Sequence, residues 1–118
     1  MLITDSPIDN NMTGSGADGG EPYLSAGNGG SGGGIFNTNI LTVTYSSVIS
    51  NTTGAGGVFG GSGGNGGGIF NIGSLTLTYS ALESNSTGLG GDGDACSNVG
   101  QSSHGGGIYN AGDLDLLG

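Results

Sequence analysis

The chain has 118 residues, of which 31 are glycine, 32% are hydrophobic and 8% charged. Glycine at roughly a quarter, against about 7% in ordinary proteins, leaves too little apolar material for a thick core and excludes a long charged helix. Nine acidic residues, one His and no Lys or Arg give a formal net charge of −9, which argues against nucleic acid or anionic lipid as a partner, because phosphate binding needs cations to replace counterions.

Taken in chain order, the segments repeat. Met1-Leu2-Ile3-Thr4-Asp5-Ser6 opens the chain and Asn11-Met12-Thr13-Gly14 follows it. After a glycine-rich stretch come Gly32-Gly33-Gly34-Ile35-Phe36-Asn37, Leu41-Thr42-Val43-Thr44-Tyr45-Ser46 and Asn51-Thr52-Thr53-Gly54. The same three blocks return as Gly66-Gly67-Gly68-Ile69-Phe70-Asn71, Leu75-Thr76-Leu77-Thr78-Tyr79-Ser80 and Asn85-Ser86-Thr87-Gly88. A longer loop leads to Gly105-Gly106-Gly107-Ile108-Tyr109-Asn110, and Leu114-Asp115-Leu116-Leu117-Gly118 begins one more copy. Each repeat thus holds three short blocks and one glycine-rich loop of variable length.

Apolar and hydroxyl residues alternate with period two in Leu75-Thr76-Leu77-Thr78-Tyr79, which predicts strands with one buried face; no block shows helical spacing. Short strands recurring every 34–40 residues, with length changes at one phase only, predict an all-β parallel β-helix (β-solenoid) in which each strand stacks on its copy one coil earlier. The expected organisation is a single domain over 1–118, with coils at 1–40, 41–74 and 75–113 and a stub at 114–118.

Stacking makes rows. Met1/Leu41/Leu75/Leu114, Ile3/Val43/Leu77/Leu116, Ile35/Ile69/Ile108 and Ile8/Val48/Leu82 are the expected core. Asn37/Asn71/Asn110 and Asn11/Asn51/Asn85 are expected as side-chain amide ladders at the corners, each amide donating to one neighbour and accepting from the other at a spacing of roughly 4.8 Å. Tyr45/Tyr79 and Phe36/Phe70/Tyr109 form aromatic rows. The triple glycines allow a bend or positive φ ahead of the Ile strands.

GGGI-F/Y-N, LTxT-Y-S and N-x-T-G resemble the repeats of bacterial right-handed parallel β-helix surface proteins, the polymorphic outer-membrane and autotransporter-adhesin type, over nearly the whole chain. The resemblance implies a right-handed β-helix and an extracellular or cell-surface stalk or adhesive element. It specifies fold more than function. Such proteins usually run to dozens of coils, whereas three coils make a slab only roughly 15 Å tall, with no recognisable cap or membrane-anchoring barrel.

The ends therefore carry the functional reading. Uncapped solenoid ends expose apolar rows and unpaired backbone. The stub has the phase of Met1–Asp5, so Met1 and Ile3 at one end and Leu114 and Leu116 at the other form a candidate self-assembly interface. Head-to-tail stacking of identical copies, a contact that does not close on itself, would give an extracellular filament and continue every row. The alternative is a fragment of a longer surface adhesin that binds glycan or a host surface through its aromatic and glycine-rich loops.

Chemistry is sparse. His104 lies beside Ser102 and Ser103 in a Gly/Ser-rich loop, but a Ser–His pair needs an orienting acid and an oxyanion hole, so no catalytic residue and no enzyme is expected. Polysaccharide-degrading β-helices normally bring cations that are missing here. Asp18, Asp92 and Asp94, with Glu21 nearby, are weak candidates for Ca²⁺, though they match neither an EF-hand nor the glycine-rich nonapeptide pattern; no other cofactor is expected. The Thr42/Thr44 and Thr76/Thr78 pairs resemble the threonine arrays of ice-binding solenoids on two coils only. The Asn11, Asn51 and Asn85 sequons compete with the ladder reading. Lone Cys96 excludes an intrachain disulfide and is open to an intersubunit bond or a free thiol. No apolar run approaches the roughly 20 residues of a membrane-spanning helix, and no charged-then-apolar leader pattern follows Met1.

Overall fold

The alternating blocks become strands because one face of each can be buried and the other cannot. In the computed structural model, which describes residues 1–20, 24–93 and 99–118, the described residues form ten strands and no helix. In chain order these are β1 (Leu2–Thr4), β2 (Pro7–Asp9), β3 (Ile35–Asn37), β4 (Ile40–Thr44), β5 (Ser47–Ile49), β6 (Ile69–Asn71), β7 (Ser74–Thr78), β8 (Ala81–Glu83), β9 (Ile108–Asn110) and β10 (Asp113–Leu117). β4, β7 and β10 each begin one residue ahead of the sequence-based coil starts.

The strands pair in parallel in three sheets, ordered β1-β4-β7-β10, β2-β5-β8 and β3-β6-β9. The register places Ile3 on Val43, Val43 on Leu77 and Leu77 on Leu116. In the other sheets Val48 lies between Ile8 and Leu82, and Ile69 between Ile35 and Ile108. The architecture is all-β and parallel, consistent with a solenoid.

The core is one side chain thick. Leu41, Val43, Val48, Ile69, Leu75 and Leu77 are buried, and Ile3, Ile8, Ile35, Leu82, Ile108 and Leu114 pack partly buried against them. Burial is complete only in the middle repeats, because the first and last repeats have a neighbour on one side. Met1 and Leu116, at opposite ends of the core rows, are 81% and 64% exposed.

Each corner has its own device. Leaving the first sheet, Asp5, Tyr45 and Tyr79 have φ of 48°, 48° and 46°, a left-handed conformation that costs a non-glycine residue about 1–2 kcal/mol. The next residue is Ser6, Ser46 or Ser80, whose hydroxyl donates to the carbonyl two residues back at 2.7, 2.8 and 2.9 Å. Its oxygen also accepts the backbone N–H of the preceding repeat, Ser6 N to Ser46 Oγ at 3.1 Å and Ser46 N to Ser80 Oγ at 3.2 Å. Entering the third sheet, Gly32, Gly66 and Gly105 have φ of 72°, 69° and 72°, which is why the first glycine of each triple is required.

The glycine-rich loops are a hydrogen-bonded lattice. Within a repeat the outgoing and returning arms join through Gly30 N to Gly14 O (3.0 Å), Gly64 N to Gly54 O (3.0 Å) and Gly100 N to Gly91 O (2.7 Å). Between repeats, Gly16 N bonds Ala55 O, Gly56 N bonds Leu89 O and Gly29 N bonds Ser62 O, all at 2.8 Å, and Gly57 N bonds Gly27 O at 3.0 Å. Gly54, Gly57, Gly61, Gly64 and Gly67 fall mainly at every third residue, the period of a polyproline-II-type chain, and as in collagen only glycine fits where the arms meet. A Cβ on Gly57 would run into the carbonyl oxygen of Ala17, and one on Gly64 into that of Gly30.

Gly64→Ala is therefore expected to lower unfolding free energy by about 2 kcal/mol or more through overpacking. Gly107→Ala, where an added Cβ meets nothing within 4 Å, should stay within about 0.5 kcal/mol of the parent. Urea unfolding of the two variants beside the parent measures both.

Candidate functional site

The repeated motifs converge on two corners. At the turn from the third sheet to the first, Asn37 Nδ2 donates to Asn71 Oδ1 and Asn71 Nδ2 to Asn110 Oδ1, both at 2.6 Å. Each amide also closes its own turn. Asn71 Oδ1 accepts Gly73 N at 3.2 Å, while Nδ2 donates to Gly73 O at 3.1 Å and to Asp113 O at 2.9 Å. Asn71 is 0% exposed, so one side chain serves three repeats without a stranded polar atom.

The second row lies where the chain enters the glycine lattice. Asn51 Oδ1 accepts both the backbone N–H and Nδ2 of Asn11, at 3.0 and 2.9 Å. Asn85 Oδ1 does the same for Asn51, at 2.9 and 3.0 Å. Asn51 is 0% exposed and its amide is fully engaged, so that sequon offers no nitrogen for a glycan. Two residues on, Thr13 and Thr53 donate to the carbonyls of Gly30 and Gly64, each at 2.6 Å, and clamp the returning arm to the outgoing one. Their oxygens accept Gly54 N at 2.8 Å and Gly88 N at 2.9 Å from the following repeat. The N-x-T-G block is thus a corner ladder, a clamp and a glycine, and at Gly54 and Gly88 a Cβ would collide with the carbonyl of Gly14 or Gly54 in the preceding repeat.

Three of these networks escaped the sequence reading: the serine row Ser6/Ser46/Ser80, the threonine clamps and the lattice itself. Their signal was present as invariant Ser and Thr in each repeat and near-three-residue glycine spacing. The aromatic rows are parallel stacks on the outside, Phe36–Phe70 at 4.8 Å, Phe70–Tyr109 at 4.9 Å and Tyr45–Tyr79 at 5.3 Å between ring centroids. Neighbouring rings cover one another's faces, and the free faces lie at the ends of the rows.

The structure does not assemble a Ser–His pair from the expected loop. His104 is exposed and its backbone N–H donates to Asn65 Oδ1 at 2.8 Å, while the Ser103 hydroxyl is committed to the carbonyl of Gly88. Asp18 Oδ1 accepts the backbone N–H of Val58 at 3.0 Å, and Asp92 lies on the far side of the same segment, where its carbonyl accepts Phe59 N. The two residues lie on opposite sides of that segment. Asp94, Glu21 and Cys96 lie outside the described residues. Among the described residues no group of three or more His, Cys, Asp or Glu side chains is gathered, and no buried side-chain N or O lacks a partner.

Among the described residues the first sheet has four strands and the other two have three each.

No family model matches the chain, and no curated protein and no solved structure matches it either.

Asn71→Ala removes the acceptor of Gly73 N and the donor to Asn110 Oδ1 and Asp113 O, and is expected to cost about 2–3 kcal/mol. Asn110→Ala, at the exposed end of the same row, should cost under about 1 kcal/mol. Thermal and urea unfolding of both variants tests the gradient along the row.

Proposed function

We propose that the chain is a right-handed parallel β-helix of three coils that serves as a structural element outside the cell, growing by end-to-end stacking of identical copies into a filament. The observation that carries this reading is one register repeated along every row. β1 and β10 belong to one sheet and share one phase, and Ile3 and Leu116 lie on the same row. The likeness of the repeats to surface-protein β-helices supports the location, and the absence of Lys and Arg leaves trypsin-like proteases no residue of the type they cut after.

The function is mechanical and not enzymatic. Its partner is a second copy of the same chain, and the work is done by backbone ladders and amide rows that continue from one copy to the next. With the chain at −9, assembly is opposed by repulsion over a Debye length of about 8–10 Å and strengthens as salt rises.

Negative-stain electron microscopy of the purified chain over a concentration series, with and without Ca²⁺, tests the proposal. Filaments one molecule thick are expected at high concentration. Leu116→Lys should leave the monomer's stability within about 0.5 kcal/mol, since the side chain is exposed there, yet abolish filaments by placing a charge in the junction. Dispersed monomers under all conditions would overturn the reading.

A further inference from the structure

The corner that leaves the first sheet brings together two phenols for which the function proposed above has no use. We propose that Tyr45 and Tyr79 are an oxidative modification site, at which a one-electron oxidant driven by peroxide couples the two rings into a dityrosine bridge that staples adjacent repeats. Both residues belong to one copy, so the site stands whether or not copies assemble.

The backbone fixes the pair. Tyr45 follows β4 and Tyr79 follows β7, and those strands are paired in register, so the two Cα atoms are one strand spacing apart, roughly 4.8 Å. Tyr45 N donates to Thr78 O and Tyr79 N to Leu117 O, both at 3.0 Å. Their φ angles, 48° and 46°, are nearly equal, which sends both side chains off the backbone in one direction. Serine pins each turn from the following position, since Ser46 Oγ and Ser80 Oγ donate to the carbonyls of Thr44 and Thr78, and Ser46 N donates to Ser80 Oγ. Left-handed φ is uncommon for so bulky a residue, and glycine would take it at less cost. Two successive tyrosines here are a strained placement of the kind that accompanies function.

The rings are held close and left accessible. Their centroids are 5.3 Å apart and their planes 8° from parallel. Each residue is 62% exposed, and both border a groove lined also by Ser47 and Ala81, small side chains that leave the rings room to tilt. Exposed side chains change rotamer within nanoseconds, so ring carbons meet without movement of the backbone.

In the coupling, each phenol gives up one electron and one proton, leaving a phenoxyl radical whose unpaired electron is shared with the ring carbons beside the oxygen. The two radicals pair in one carbon–carbon bond between such carbons, and each ring regains aromaticity as its displaced proton moves to its own oxygen. Two electrons and two protons leave in all, and one hydrogen peroxide takes them up to become two waters. A haem peroxidase is the class of catalyst that passes the electrons, and the extracellular setting proposed above is an oxidising one. Because both radicals are held side by side, their coupling is a step within one molecule and outruns encounter between chains.

Among the described residues the third tyrosine is placed differently. Tyr109 stacks on Phe70 at 4.9 Å, and Phe70 on Phe36 at 4.8 Å. A phenyl ring without a hydroxyl yields no phenoxyl radical, so that row does not couple. Tyr23 lies outside the described residues. A bridge between Tyr45 and Tyr79, 34 positions apart, restricts the unfolded chain as a disulfide does.

Treatment of the dilute, folded Cys96→Ser chain with a haem peroxidase and hydrogen peroxide tests the site. The product should remain a monomer and show dityrosine fluorescence. Chymotrypsin, with Phe59 and Phe70 to cut at between the two tyrosines, should release a linked Tyr45–Tyr79 peptide pair lighter than its parts by two hydrogen atoms. Tyr79→Phe retains an aromatic stack and should abolish this product, whereas Tyr109→Phe should leave it unchanged. The bridged monomer should melt roughly 5–10 °C above a Tyr79→Phe chain treated alike. Links formed chiefly between chains, an intrachain link that survives Tyr79→Phe, or a bridge without a rise in melting temperature would each overturn the proposal.

Discussion

Parallel pairing in register sets each residue on its own copy about one strand spacing away, roughly 4.8 Å. Every row must therefore tolerate itself, and most of the composition follows from that. Aliphatic residues stack into a core one side chain thick, Asn and Ser form rows whose members donate to one neighbour and accept from the other, and aromatic rings lie face to face. Charge is what a row cannot repeat without penalty. Asp5 is followed by Tyr45 and Tyr79, Asp9 and Glu83 are separated by Ile49, and Asp115 follows Thr76, so carboxylates in these rows do not stack within one copy.

The same spacing explains the glycine. The loops lie arm against arm and repeat against repeat, and their backbone amides bond to carbonyls of neighbouring arms. With so few hydrophobic residues, the chain is ordered by backbone hydrogen bonds that glycine alone allows to come this close. The conformational entropy glycine loses on folding is large, and the amide–carbonyl bonds between arms and between repeats offset part of it.

The sheets, core rows and two Asn rows could be read from Leu41-Thr42-Val43-Thr44 and its copies, because alternation and repeat length are properties of sequence. The lattice could not be read so easily. Gly57 and Gly64 look like linker residues until the carbonyls of Ala17 and Gly30, 40 and 34 positions earlier, are known to lie against them. The serine row was hidden because Ser46 looks like an ordinary turn residue, while its partnership with Ser6 and Ser80 depends on stacking. Asp18 and Asp92 share a loop phase, but phase alone did not reveal that Val58 comes between them.

Parallel pairing in register is the claim on which the rows, the core and the lattice all depend. Inter-strand proton contacts measured by nuclear magnetic resonance on the isotopically labelled chain test it most directly. The account predicts contacts between Val43 and Leu77 and between Ile69 and Ile108, and an antiparallel pattern or a register shifted by one residue would contradict it.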